Sequence, residues 1–149
     1  MKLKKIIKIL VIISLILIVI DQASKIIIDS FVEDKIELIP NNILTIFKTT
    51  NTGIAFGINK QNLGNIGLSL IVLTVIFKYI FDQKDNMNYR IVVFLSLIIA
   101  GGLSNVIDRI FKGAVFDFIK IGNFPIFNLA DCFIVIRMDI ICNKFYYFF

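Results

Sequence analysis

The chain has 149 residues, of which 58% are hydrophobic and 18% charged, with a mean hydropathy of +0.87. A soluble domain of this length needs a more polar surface than that, so lipid must serve as solvent for much of it. There is no histidine, which excludes Ser-His-Asp and Cys-His catalysis and His-ligated metal sites. The formal charge of +5 lies in lysines beside apolar runs, a pattern of membrane-surface anchors rather than of a nucleic-acid patch.

Four apolar stretches follow one another, at about 6–28, 63–81, 91–111 and 127–145. Each approaches the ~20 residues that cross a bilayer as a helix. Ile and Val dominate them, and in water that would favour strands. Lipid reverses the preference, because a helix satisfies its own backbone hydrogen bonds. The expected fold is therefore an all-α integral membrane domain of four transmembrane helices, occupying 1–149 without a separate second domain.

The first stretch has a rival reading as a cleavable signal peptide, with Lys2, Lys4, Lys5 and Lys8 ahead of the apolar run 9–20. No A-x-A site follows, and apolar residues resume at Ile26–Ile28, so a retained helix is the better reading. It places Asp21 and Lys25 four residues apart on one face, acid first. The lysine cluster orients the N-terminus to the cytoplasm. Four crossings then return the C-terminus there and leave residues 29–62 and 112–125 outside. The outer segment, about 36–60, mixes β-branched and aromatic residues with Gly53 and Gly57. It reads as a small extracellular β-rich element between helices 1 and 2, and the polar run KQNLGN (60–65) as a turn into the second helix. Residues 82–90 form a short cytoplasmic loop.

Ionisable groups in membrane segments cost about 2.5–3.5 kcal/mol each on insertion scales, so each asks for a reason. Asn105, Asp108 and Arg109 share a face near the end of the third helix. Asp117 follows a turn expected at Lys112–Gly113. Pro125 is expected to open the fourth helix, on which Asn128 and Asp131 again share a face. The bland account pairs Asp108, Asp117 and Asp131 with Arg109, Lys112 and Lys120. The functional account brings two carboxyls together so that only one ionises. The ionised one activates water and the protonated one bonds the scissile carbonyl. Spacing alone leaves both accounts open. Cys132 and Cys142, ten residues apart, would lie ~15 Å apart along one helix, too far for a disulfide.

The segments DQASK (21–25), NTGIAFG (51–57), GGLSNVIDRI (101–110), GAVFDF (113–118) and FPIFNLADCFI (124–134), in this order and spacing, resemble those of bacterial lipoprotein signal peptidase, or signal peptidase II. The resemblance implies an aspartyl endopeptidase of the bacterial plasma membrane, with no metal or cofactor and Asp117 and Asp131 as the catalytic pair. Asn51, Asn105, Asp108, Arg109 and Asn128 fall on the residues lining the family's site, with Arg109 expected to hold Asp108. Asp21 and Lys25 fall on a first-helix motif read as structural. The implied partner is a prolipoprotein whose signal peptide precedes a diacylglyceryl-cysteine, met at the outer face among membrane lipids. Nothing demands more than a monomer.

Gly101 and Gly102 are expected to allow close helix packing. The chain departs from the family pattern at Arg137 and Asp139, which interrupt the last apolar stretch. Two further readings compete. A non-enzymatic transporter or scaffold subunit would need buried acids at several depths. A serine–lysine peptidase would use Ser24 with Lys25, or Ser104 with a distant lysine.

Overall fold

The computed structural model describes residues 2–52 and 61–135. Helix α1 covers Leu3–Phe31, three residues more at each end than the apolar stretch. At 1.5 Å per residue its 29 residues reach about 43 Å, beyond the ~30 Å of a hydrocarbon core. Its buried residues are Ile6, Leu10, Ser14, Asp21 and Lys25, a seam recurring every four or seven positions. The remaining faces expose Val11, Leu15, Val19 and Ile26, as a lipid-facing helix would.

Helices α2 (Gln61–Asp82) and α3 (Tyr89–Lys112) follow. Of the run expected as a turn, residues 61–65 instead open α2, since Gln and Asn are tolerated in a helix that lipid favours. Asn88 caps α3, its side chain accepting from the Ile91 amide at 3.0 Å, and Gly113 ends it in the left-handed region at φ 76°. Both α1 and α2 pack on α3. Ile6 and Leu10 meet Ile76, Ile80, Val92 and Ile99 in the apolar core. Ser14 Oγ donates to the Ser96 carbonyl at 3.2 Å, the close approach that small residues permit between membrane helices. One helix among the described residues, α3, is by its length and hydropathy sufficient to cross a membrane.

The sheet corrects the sequence reading. Strands β1 (Lys35–Ile39) and β2 (Leu44–Asn51) form the expected outer element. A third strand, β3 (Val115–Ile121), comes from between the third and fourth helices. The antiparallel order is β1-β2-β3. Asn41 and Asn42 turn the β1–β2 hairpin at positive φ, which asparagine tolerates best after glycine. Register puts Thr49 opposite Asp117 and Asn51 opposite Val115, so Asn51 sits diagonal to Asp117 on one face.

The fourth helix, α4, is described over residues 129–135. It does not begin at Pro125 or Phe127. Phe127 is held extended against β3: its carbonyl accepts from the Phe118 and Ile119 amides, and its amide donates to the Ile119 carbonyl. Arg137, Asp139 and Cys142, and the part of the expected β-element at 53–60, lie outside the described residues. Cys132 is a free thiol.

Candidate active site

Each acidic side chain of interest arrives on a different element: Asp21 on α1, Asp108 on α3, Asp117 on β3 and Asp131 in the first turn of α4. Two groups result. In one, Asp21, Lys25 and Asp108 are almost wholly buried. Lys25 Nζ donates to Asp108 Oδ2 at 2.6 Å and to Asn105 Oδ1 at 3.4 Å, and lies 2.7 Å from Asp21 Oδ2. Lys112 bonds the other Asp108 oxygen at 2.9 Å. Two carboxylates thus meet two ammonium groups, the balance that a buried ionic cluster requires. The expected pairing of Arg109 with Asp108 gives way to these lysines. Arg109 Nη1 donates instead to the Asn105 carbonyl at 3.3 Å, and its charge stands beside Asp131, Asp117 and Asp108.

Asp21 also reaches α4. Its Oδ1 accepts from the Ala130 amide at 2.9 Å, one of the amides a helix start leaves unpaired. Ser104 Oγ donates to Oδ2 at 2.6 Å. Gln22, which the sequence reading passed over, donates to Ser104 and to Asp108; its only signal was a second polar residue beside Asp21. Ser104 is thus tied to a carboxylate, and the Lys25 donors are taken up by three acceptors. Neither group is free for the serine–lysine reading.

The second group holds the expected catalytic pair, and amides hold it. Asn128 Nδ2 donates to Asp117 Oδ1 at 2.7 Å and to Asn105 Oδ1 at 3.1 Å. Asn105 Nδ2 donates to Asp131 Oδ1 at 2.9 Å, and the Asn128 amide donates to Asp131 Oδ2 at 3.2 Å. The Asn51 side chain bonds Asp117 as well. Among the described residues, neither Asp117 nor Asp131 forms an ion pair; the pairs of this region go to Asp21 and Asp108. Asp117 is 2% exposed, whereas Asp131 is partly open. Burial, and then the charge of Asp131, raise the Asp117 carboxyl to about 6, against the opposing bonds from Asn51 and Asn128. The described residues contain no cluster of acidic and cysteine side chains that could hold a metal ion.

Two carboxyls joined through Asn128 beside long apolar helices define the candidate site of a membrane-embedded protein. Two solved bacterial membrane enzymes share the fold: one gives a TM-score of 0.79 at 34% identity, covering 91% of each chain. The other gives 0.77 at 33%, covering 91% of this chain and 86% of that one. The profile described as Signal peptidase (SPase) II matches residues 13–147, and the chain belongs to that family. The lipoprotein signal peptidase of Staphylococcus haemolyticus is 36% identical over 137 residues, covering 88% of this chain and 86% of the relative. That of Rickettsia conorii is 36% identical over 111 residues, covering 70% and 55%.

Proposed function

We propose that this membrane protein removes the signal peptide from diacylglyceryl-modified prolipoproteins, cleaving before the lipidated cysteine with Asp117 and Asp131. The observation that carries the reading is that both carboxyls are held by neutral amides and share Asn128, while the lysines nearby serve other acids. Carboxyls kept merely to lower an insertion cost would take the cations. In the reaction, Asp131 draws a proton from a water molecule as its oxygen attacks the scissile carbonyl. Asp117, protonated, hydrogen-bonds the carbonyl oxygen as it gains charge. The C–N bond then breaks and the amine of the lipidated cysteine leaves with a proton from the pair.

Four helices cross the membrane in this reading, with both termini cytoplasmic and the pair near the outer face. The chain acts as a monomer, and the three-stranded sheet guides the substrate at the interface. The transporter alternative wants acids at several depths. Here Asp21, Asp108, Asp117 and Asp131 are linked through one network at one end of the bundle.

The test is cleavage of a diacylglyceryl-modified prolipoprotein by the purified chain, followed by gel mobility. The parent cleaves, and Asp117→Asn and Asp131→Asn each lose nearly all activity. Ser104→Ala, which leaves both aspartates in place, retains measurable cleavage. Activity undiminished in either aspartate variant would falsify the assignment.

A further inference from the structure

At the other end of the bundle, α1 and α2 leave a groove of about 450 Å³ between them, floored by α3. Its walls are almost wholly apolar: Ile7, Val11 and Leu15 from α1, Phe77 and Phe81 from α2, and Leu103 from α3. The described part of α4 does not cover it. Ala130 and Ile134 pack at Gly101, and Leu103 lies about 200° around α3 from that contact.

The rim is cationic. Lys84 Nζ stands 4.9 Å from the Phe81 ring centroid, which places an ammonium group on the α2 lip. Lys4 precedes Ile7 by three positions and Val11 by seven, and Lys8 stands in the same relation to Val11 and Leu15. Helical spacing therefore puts both on the α1 lip. Among the described residues none of the three has a carboxylate partner. Lys78 and Asp82 satisfy each other at 2.8 Å, and Asp85 is the acid left beside Lys84.

We propose that this groove binds one anionic phospholipid of the leaflet on the lysine side, with an acyl chain between α1 and α2 and its phosphate among Lys4, Lys8 and Lys84. The apolar walls match a hydrocarbon chain, and the excess positive charge of the rim matches a headgroup with net negative charge. A zwitterionic headgroup would bring its own ammonium against the lysines. A helix from another protein, ~10 Å across, would need several times this volume over the same length. The lipid closes the seam at which α1 and α2 diverge. The site rests on membrane embedding of these helices and not on the aspartate pair.

The test places the full chain in nanodiscs of equimolar phosphatidylglycerol and phosphatidylcholine with identical acyl chains. The protein is then extracted in mild detergent, and the lipid it retains is measured by mass spectrometry. The expected result is one phosphatidylglycerol per chain, favoured about tenfold over phosphatidylcholine. Lys4→Gln combined with Lys84→Gln, both outside the packed core, brings the two lipids within about twofold of each other. Leu15→Trp, checked for native melting, reduces retention of both. Asp117→Asn retains lipid as the parent does, which separates this site from the peptidase reading. Equal retention of the two lipids by the parent overturns the proposal. So does a preference that survives the lysine changes, or a second copy of the chain in place of lipid.

Discussion

Asn128 and Asp131 cap the same helix turn reciprocally. Asn128 Oδ1 accepts from the Asp131 amide at 2.9 Å, and Asp131 Oδ2 accepts from the Asn128 amide at 3.2 Å. This is the logic of a capping box, with an aspartate in the place usually held by Glu or Gln. One member of the proposed catalytic pair is thus fixed by the backbone that it helps to terminate. The side-chain nitrogen of Asn128 holds the other member.

Those two duties can be separated. Asn128→Ser keeps a capping oxygen but cannot donate to Asp117 through an amide. It should lose about 1–3 kcal/mol of stability with the buried bonds to Asp117 and Asn105, while kcat falls roughly ten- to a hundredfold. Asn128→Ala also loses the cap and should be destabilised by a further ~1 kcal/mol. Thermal melts in detergent beside prolipoprotein cleavage rates distinguish them. Equal rates for the parent and Asn128→Ser would show that the bond to Asp117 has no part in catalysis.

The Asp117 carboxyl, raised to about 6 by burial and then by Asp131, ionises near 3.9 in an unfolded chain. The folded state therefore binds this proton more tightly. The stability it contributes is fully present below about pH 4 and is lost as pH rises through 6. Asp117→Asn removes that dependence. At pH 8 the variant should melt higher than the parent, by on the order of 2 kcal/mol, and the advantage should fade between pH 6 and pH 4. An advantage that does not change with pH would contradict the raised carboxyl. In the parent, kcat/KM should fall on the alkaline side with an apparent midpoint near 6, because the free enzyme loses the proton it needs.

Asn105, Asp108, Asn128 and Asp131 were legible as a group because polar residues in apolar stretches are few, and helical spacing assigns them to faces; Asp21 was legible only as the partner of Lys25. Their partners were less so. Asp108 was assigned to its neighbour Arg109, but Lys25 is 83 positions away, and no local pattern reports such a contact. The strand carrying Asp117 was hidden for the same reason: GAVFDFIK finds its partner in β2, some 70 residues earlier. Pro125 drew the fourth helix too early, because a proline suits a first turn and the pairing of Phe127 with Ile119 is again non-local. Spacing identified the residues; tertiary pairing decided what each one does.

The buried charge cluster predicts unequal effects for its two lysines. Lys25 is 1% exposed and serves Asp21 and Asp108 together. Lys25→Met should cost about 3–5 kcal/mol, as for an uncompensated buried charge, and greatly reduce the yield of folded protein. Lys112 is 46% exposed, and without it the fully buried Asp108 keeps its bonds from Lys25 and Gln22. Lys112→Met should cost about 1 kcal/mol or less. Melting temperatures in detergent check both. A Lys112 variant as damaged as the Lys25 variant would mean that Lys25 and Gln22 do not satisfy Asp108 by themselves.

Gly101 and Gly102 are adjacent in sequence, but among the described residues only one has a neighbour to meet. A Cβ on Gly101 would press on the Ala130 carbonyl and come within 2.8 Å of Ile134, whereas one on Gly102 finds nothing within 4 Å. The Ala130 carbonyl belongs to backbone that Asp21 pins through its amide, so it cannot yield without shifting Asp131, the next residue. Gly101→Ala should therefore lower kcat at least tenfold, since misplacing a reacting group by about an ångström costs up to a hundredfold. KM should change little, because the sheet proposed to guide the substrate is untouched. Gly102→Ala should leave activity within about twofold and stabilise α3 slightly, alanine being the better helix former. Cleavage kinetics on the two variants side by side test the packing: comparable rates would mean that α4 is free to move away from α3 without disturbing the aspartates.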